Sequence, residues 1–321
     1  MLWRQPPEKM CCEPLGRVID PELGRDLVSL GMISDLQAEN GNVEFTLHLT
    51  TPACPLREQL RQMAHQAVAV LPGVQEVRIN MDARLPASIG LPSQSDLPGI
   101  HNVIAVASGK GGVGKSTVAV NLALGLVDSG ARVGLLDADF YGPNIPQMLG
   151  SLSHPEVHGD RILPVSAHGL QVMSFDYLVV DLPPGTGDVP LSLVQLVNLA
   201  GVVVVTTPQR VAIADVVRCV EMFLMTDAPV LGVVENMSYL ICPDCGKQIE
   251  IFGRGGGEWL ARQFNLPLLG QIPFDPEIRE GGDLGQPVRK AESSVWQAFR
   301  QLAGKVAGQV SVRQYKITEH M

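Results

Sequence analysis

The chain is poor in aromatic residues: eight Phe, four Tyr and three Trp make up 5% of its 321 positions. It is also short of basic charge. Lys and Arg number 24 against 33 Asp and Glu, a formal net charge of −9. Broad nucleic-acid binding needs a basic face that neutralises phosphates, so no nucleic-acid partner is expected. No apolar run is long enough to span a bilayer, and Met1 to Pro14 does not have the basic-then-apolar build of a secretory leader. A cytoplasmic protein without a membrane partner is the expectation. Six cysteines at this length do not make a secreted disulfide scaffold, and selective thiol chemistry in a reducing compartment fits them better. What the chain does have is Val, Leu and Ala, which suits a parallel α/β core, and length enough for two domains.

The stretch Val103-Ile-Ala-Val-Ala-Ser-Gly109-Lys110-Gly111-Gly112-Val113-Gly114-Lys115-Ser116-Thr117 reads as a buried strand, a glycine-rich turn and the start of a helix running through Val118 to Ser129. Gly109, Gly114, Lys115 and Ser116 fit the phosphate-loop pattern G-x-x-x-x-G-K-[ST]. Glycines let successive backbone N–H groups converge on phosphate oxygens, and the helix start adds its dipole and free N–H groups. Lys115 is placed for the β- and γ-phosphates, and the Ser116 hydroxyl for Mg²⁺. The loop 109–117 is therefore the candidate ATP site. A second glycine run, Gly253-Arg254-Gly-Gly-Gly257, lacks the Lys-Ser pair and reads as a flexible loop before a helix over Glu258 to Phe264.

Ahead of this lies a small α+β unit ending near Ala83. An apparent helix is followed by strand-like runs over Met32 to Ala38 and Asn42 to Thr50, with the hairpin signal Asn40-Gly41 between them. An amphipathic helix over Leu56 to Val70 and a strand over Val74 to Met81 complete it. Cys54 stands just before that helix, with Pro55 at a natural first helical position. A thiol there feels the positive helix end, which favours the metal-binding thiolate. Arg84 to Gly99, with Pro86, Pro92 and Pro98, reads as a linker. The division expected is 1–83, 84–99 and 100–321.

Beyond the phosphate loop, strands are expected over Arg132 to Asp139, Asp176 to Asp181, Gly201 to Thr207, Val230 to Glu235 and Leu268 to Ile272. Helix-forming segments separate most of them. That order predicts an α/β fold with a mostly parallel sheet covered on both faces. Asp137 and Asp139 end one strand and Asp181 another, on the side where such sheets bind ligands. Asp181 is placed to deliver a carboxylate to the water shell of the metal. A last helix near Ser294 to Val306 puts Trp296, Phe299 and Leu302 on one face for core docking, and Cys219 reads as core.

Cys242-Pro243-Asp244-Cys245-Gly246 sets two thiols on one tight turn, suited to a soft or borderline metal. Two ligands do not complete a tetrahedral site, and no second C-x-x-C or His pair stands nearby. A symmetric dimer supplies four thiolates. That arrangement suits a [4Fe–4S] cluster or Cys₄ zinc, with zinc the better local reading; a redox dithiol is the third option.

The loop G-K-G-G-V-G-K-S-T, with Lys110 after its first glycine, resembles the deviant phosphate loop of the ATPase class containing the nitrogenase iron protein, MinD, ParA and the Mrp/ApbC iron–sulfur carriers. The run Asp181-Leu-Pro-Pro-Gly185-Thr-Gly187-Asp188 is similar to the second switch of the Mrp group, and Asp139-Phe-Tyr-Gly142-Pro143-Asn144 to its first. Asp20-Pro-Glu22 through Thr51-Pro-Ala-Cys54-Pro resembles the small iron–sulfur assembly domain fused before such ATPases. The resemblance implies a homodimer in which Lys110 reaches the nucleotide of the partner. It implies that Asp139 positions the attacking water, Asp137 lies near Mg²⁺, Asn236 contacts adenine and the Pro273-Phe-Asp275 loop closes over the base. Cys242 and Cys245 then hold a [4Fe–4S] cluster between subunits, Cys54 serves cluster handling or partner docking, and recipient apoproteins and cluster donors are the partners. The function implied is an ATP-hydrolysing iron–sulfur carrier. The alternatives are a MinD/ParA-like positioning ATPase and a zinc-stabilised nucleotide-binding module.

One departure stands out. Leu170-Gln-Val-Met-Ser174 reads as a strand, yet only Phe175 separates it from the strand at Asp176. Parallel neighbours need a crossover of about a dozen residues, and Mrp-type sequences carry an extra helix-containing segment here. Its loss puts efficient hydrolysis and dimerisation in question.

Overall fold

The computed structural model describes residues 8–83, 97–139, 142–151, 156–158, 161–170 and 175–319. Two compact units divide the chain, one of Met1–Pro86 with Ser311–Met321, the other of Ala87–Val310.

The first unit contains α1 (Glu8–Leu15), β1 (Ile33–Glu39), β2 (Asn42–Leu49), α2 (Arg57–Ala69) and β3 (Glu76–Ala83). Asn40 and Gly41 both take positive φ, 50° and 82°, the pair of left-handed residues that a type I′ hairpin needs. β2 then pairs with β3 in parallel, from Asn42 opposite Glu76 to Leu49 opposite Ala83, with α2 as the crossover. Leu60, Ala64 and Val68 recur every four residues on α2. They bury against Val43, Phe45, Leu47 and Leu49 of β2, whose burial alternates through the strand and then becomes continuous. α2 begins at Arg57, so Pro55 lies in the turn before it rather than at its first position. Of the expected linker, residues 84–96 lie outside the described residues.

The second unit runs β4 (Ile100–Ser108), α3 (Lys115–Asp128), β5 (Val133–Asp137), α4 (Ile145–Met148), β6 (Glu156–His158), β7 (Arg161–Leu163), β8 (Phe175–Asp181), α5 (Asp188–Leu196), β9 (Gly201–Thr206), α6 (Arg210–Met225), β10 (Val230–Glu235), β11 (Leu240–Ile241), β12 (Gln248–Ile249), α7 (Gly256–Gln263), β13 (Leu268–Gln271), α8 (Pro276–Asp283) and the part of α9 (Ser294–Glu319) up to Val310, the rest of that helix counting with the first unit. Six strands form one parallel sheet in the order β13-β10-β9-β4-β8-β5. All six residues of β9, Gly-Val-Val-Val-Val-Thr, are buried, as in a strand covered on both faces. α3 packs over β4, β5 and β8, while α6 and α7 cover β9 and β10. Gly125 of α3 lets α9 approach closely: a Cβ there stands 2.9 Å from the Cβ of Ala303. Trp296, Phe299 and Leu302 are buried as their spacing predicts, and Cys219 lies fully in the core. The helix that carries the first three is longer than expected, reaching Glu319.

The crowding around Asp176 resolves through the topology. β8 lies between β4 and β5, so the strand preceding it in chain order within the sheet is β5. The crossover is the whole stretch from 138 to 174, which includes α4 and the β6–β7 hairpin. Gln171 to Ser174, most of the strand expected there, lie outside the described residues; Leu170 makes an isolated bridge with Ala167 and is not in the sheet. The start of β8 is fastened at once. The Asp176 carboxylate, 5% exposed, accepts from the Arg132 backbone N–H (2.8 Å) and guanidinium (2.6 Å), and Phe175 N–H donates to Gly99 O. The Phe175 ring lies across Gly134 of β5, where a Cβ would stand 2.9 Å from it.

Candidate functional site

The carboxyl ends of β4, β5, β8 and β10 converge, as parallel sheets present their ligand side. β4 ends at Ser108 and α3 begins at Lys115, leaving 109–114 as the loop between them. Its glycines serve different ends. A Cβ on Gly109 collides with the Asp215 backbone of α6, so that glycine is needed for packing. Gly114 caps α3 at φ 80°, and a Cβ there collides with Asn236 Nδ2. That amide donates to Val113 O at 2.9 Å, tying the end of β10 to the loop. A pocket of about 630 Å³ opens above. Lys110, Gly111, Gly112, Gly114, Lys115, Ser116, Thr117, Asp139 and Asn236 line it; Gly109, Val113, Asp137 and Asp181 are not among its lining residues.

Lys115 and Asp181 form a buried ion pair, Nζ to Oδ1 2.5 Å, with side chains 7% and 0% exposed. Burial pushes the Asp181 carboxyl up, and Lys115 pulls it back. Oδ2 of the same carboxylate is buried with no hydrogen bond among the described residues. An orphaned hard oxygen near the Ser116 hydroxyl is the donor chemistry that Mg²⁺ takes, so the residues present fit the ion. Asp137 has another task. Its oxygens accept the backbone N–H groups of Asp139 (3.0 Å), Asn144 (3.0 Å) and Ile145 (3.2 Å). It anchors the loop that leads on from Asp139, and it lies opposite Asp181 on the neighbouring strand, close enough for its charge to act on that carboxyl. Phe140 and Tyr141 of that loop lie outside the described residues.

The opposite wall of the pocket is α8 with the segment before it: Pro273, Phe274, Asp275, Ile278 and Arg279. The Pro273–Asp275 loop was legible; Ile278 and Arg279 were not, because a short amphipathic helix gives no sign of which cavity it borders.

Cys242 and Cys245 sit on the loop closed by the two-residue strands β11 and β12, with Leu240 opposite Ile249 and Ile241 opposite Gln248. Cys242 N–H donates to Lys247 O and Gly246 N–H to Cys242 O, both at 2.9 Å. Cys245 is exposed and Cys242 half-buried. Hydrogen bonds from the backbone of Cys245 and Asp244 and the side chain of Cys245 hold the Cys242 thiol below its ordinary value. Among the described residues no three His, Cys, Asp or Glu side chains group as a metal site. One chain therefore brings two ligands here.

Beneath the hairpin lies a residue that sequence reasoning did not single out. Glu235, 0% exposed, accepts from Gly257 N–H (2.6 Å), from Gln271 Nε2 (3.0 Å) and from the Ser238 hydroxyl. The second glycine run is thus no loose loop: Gly255 caps α7 at φ 74°, and Gly256 and Gly257 form its first turn. The helix N-terminus that resembles a phosphate cradle receives an internal carboxylate.

In the first unit, Asp20 and Glu22 come close enough to Cys54 for their charges to act on it. The Asp20 carboxylate, 4% exposed, accepts from the N–H groups of Glu22 and Leu23. The expected thiolate is overturned. Burial, with a smaller push from those two carboxylates, raises the Cys54 thiol to about 11, against the lowering by Leu56 N–H and Arg57. The helix end it was to benefit from begins three residues later.

Comparison with known proteins agrees with this geometry. A family model described as ParA, NUBPL iron-transfer P-loop NTPase, matches residues 99–176 and 174–307. A second, described as iron–sulfur cluster assembly protein, matches 12–80. The chain is 46% identical to the iron–sulfur cluster carrier protein of Deinococcus radiodurans, covering 93% of this chain and 94% of that one. It is 45% identical to the protein of the same description from Synechocystis, covering 92% and 95%. Among solved structures, a nucleotide-binding protein of Archaeoglobus fulgidus in complex with ADP shares 38% identity, covers 62% of this chain and 91% of its own, and superposes with a TM-score of 0.56. The two family matches on the ATPase unit meet at the start of β8. The Deinococcus alignment spans 336 positions, more than the 321 of the whole chain, so that relative has residues with no counterpart here.

Proposed function

The chain belongs to the NUBPL-type iron-transfer P-loop NTPase family, and from that premise we propose that it is an ATP-dependent carrier of iron–sulfur clusters. The observation that carries the reading is the pairing of two centres on one unit: a built nucleotide site, and a cysteine pair, one half-buried and one exposed, with half the ligands a cluster needs. The cargo is a [4Fe–4S] cluster bridged by Cys242 and Cys245 of two copies of the chain, which makes the working species a homodimer. The assembly domain, 1–83, precedes a linker, 84–99, and the ATPase domain, 100–321. Recipient apoproteins and cluster donors are its partners, in the cytoplasm.

The phosphate loop, with Gly109, Gly111, Gly112, Val113, Gly114 and Thr117, takes the phosphates of ATP. Lys115 exchanges Asp181 for the β- and γ-phosphate oxygens. Ser116 and the freed Asp181 carboxylate would hold Mg²⁺, which would supply charge neutralisation at the phosphates. Asp139, set by Asp137, orients the attacking water, Asn236 reads the base, and Lys110 reaches the site of the second copy. Cys54 serves cargo handling in the first unit as a neutral thiol that releases its proton on ligating metal. The loss, just before β8, of the helix-containing segment that Mrp-type sequences carry slows turnover and weakens the dimer.

Anaerobic reconstitution with iron and sulfide tests the reading. A dimer with broad absorbance near ~400 nm, the charge-transfer band of thiolate-held clusters, is expected, and it is lost in Cys242→Ser/Cys245→Ser. Stoichiometric zinc in protein purified without air, with no iron uptake, overturns it in favour of a zinc-stabilised hairpin.

A further inference from the structure

The nucleotide pocket and the cysteine hairpin share an aromatic clamp. Phe274 lines the pocket. Its N–H donates to Tyr239 O at 2.7 Å, at the residue leading into β11. Its ring meets Phe252, just beyond β12, edge to face, with centroids 6.1 Å apart and planes at 83°. Phe274 therefore touches both stems of the hairpin whose tip carries Cys242 and Cys245. On its other side it continues directly into the pocket wall. Asp275 caps α8, Oδ1 accepting Glu277 N–H at 2.9 Å, and Ile278 and Arg279 of α8 line the same cavity. The root of the hairpin is held separately. Asn236 is bonded to the phosphate loop, Glu235 binds the Ser238 hydroxyl, and Ser238 N–H donates to Ile272 O at 2.9 Å. Between Asn236 and Ser238, Met237 adopts a left-handed φ of 54°, a backbone setting rare for a side-chain-bearing residue and characteristic of tight bends.

We infer that Phe252 and Phe274 are positioning residues that transmit occupation of the nucleotide pocket to the cysteine pair. The inference rests on reading the pocket as the nucleotide site and the cysteines as the cargo site. The physical reason is differential contact. A ligand filling the space between the phosphate loop and α8 touches the segment from which Phe274 hangs, and only such contact shifts an equilibrium. Phe274 cannot move without disturbing either the Tyr239 hydrogen bond or the Phe252 ring packing. The hairpin is fixed at its root and exposed at its tip, so it follows.

The test uses the full chain, Mg·ADP as the probe and no cluster. Alkylation rates of Cys242 and Cys245 are measured site by site by mass spectrometry, with and without saturating Mg·ADP, with Cys54 as an internal reference. In the wild type the two rates change about fivefold or more on nucleotide binding, the range of ordinary coupling between sites. In Phe252→Ala the dependence is lost. The Kd for Mg·ADP stays within about threefold of wild type, because Phe252 does not border the pocket. Phe252→Tyr, which keeps the ring, restores the dependence. If Phe252→Ala frees the hairpin altogether, seen as high reactivity in both states, Phe252→Leu carries the test with the same expectation. Wild-type rates that ignore nucleotide overturn the inference, as does a Phe252→Ala or Phe252→Leu chain that keeps the full response. Failure of iron uptake overturns the carrier reading instead and leaves this measurement standing.

Discussion

The phosphate loop and the cysteine hairpin sit on the same unit and are built in opposite ways. At the loop, a charged pair is buried to 7% and 0% exposure, and Gly109 and Gly114 are set by collisions that any side chain would cause. The hairpin has strands of two residues, and one of its cysteines is exposed. The loop is over-determined within one chain, while the hairpin supplies two ligands, which on the proposed reading a second copy completes. A site that must bind and orient a diffusible nucleotide gains from preorganisation. A site that must receive and release cargo gains from exposure and from an unfinished ligand set.

The largest expected effect tests the buried side of this contrast. Lys115→Ala removes the phosphate partner and leaves the Asp181 carboxylate buried alone. ATP turnover should fall by about 10²–10³-fold, and stability by about 3–5 kcal/mol. Asp181→Asn in the same chain should return most of the stability and none of the turnover, as read by denaturant midpoints beside steady-state hydrolysis. A single variant as stable as the wild type breaks the contrast.

Glu235→Ala comes next. It strands the Gly257 N–H and two side-chain donors at one buried point, at a cost of about 2–3 kcal/mol in unfolding free energy. Gly114→Ala follows at about 1–3 kcal/mol, from the left-handed backbone and the collision with Asn236. It should weaken Mg·ADP binding in calorimetry, while Gly111→Ala, which meets open space, should cost less. On the hairpin side the effect is smallest. Cys242→Ser/Cys245→Ser should change stability by less than about 0.5 kcal/mol, and a large loss in a thermal melt would show the hairpin to be structural.

A pH series sharpens the contrast between the thiols. Cys242 is held below its ordinary value and Cys54 is raised from 9.0 to about 11, so Cys242 should alkylate at the lower pH. Because the folded-state value of Cys54 is the higher one, its neutral thiol contributes stability that is complete below about pH 9 and is lost as pH rises through about 11. Unfolding free energy that is flat across that window would contradict the burial.

Much of this was readable in order along the chain. The buried strands, the Asn40-Gly41 turn, the phosphate loop and the aspartates at strand ends are local patterns, and local chemistry places them. The roles of single carboxylates were less legible. Asp137 and Asp181 end neighbouring strands with similar sequence surroundings, yet one anchors a loop and the other pairs with Lys115. Cys54 shows the same limit, since its place near a helix start suggested a thiolate and three-dimensional burial reversed the sign.

By itself the sequence determined the parallel α/β architecture, the nucleotide loop and the two-thiol turn, because glycine conformation, apolar periodicity and ligand spacing act over a few residues. Only the tertiary structure decided that β8 lies between β4 and β5, that Glu235 fills the second glycine-rich helix start, and that Phe274 stands between pocket and hairpin. Those are pairings between residues tens of positions apart. They depend on which surfaces burial brings together, and no local propensity records that choice.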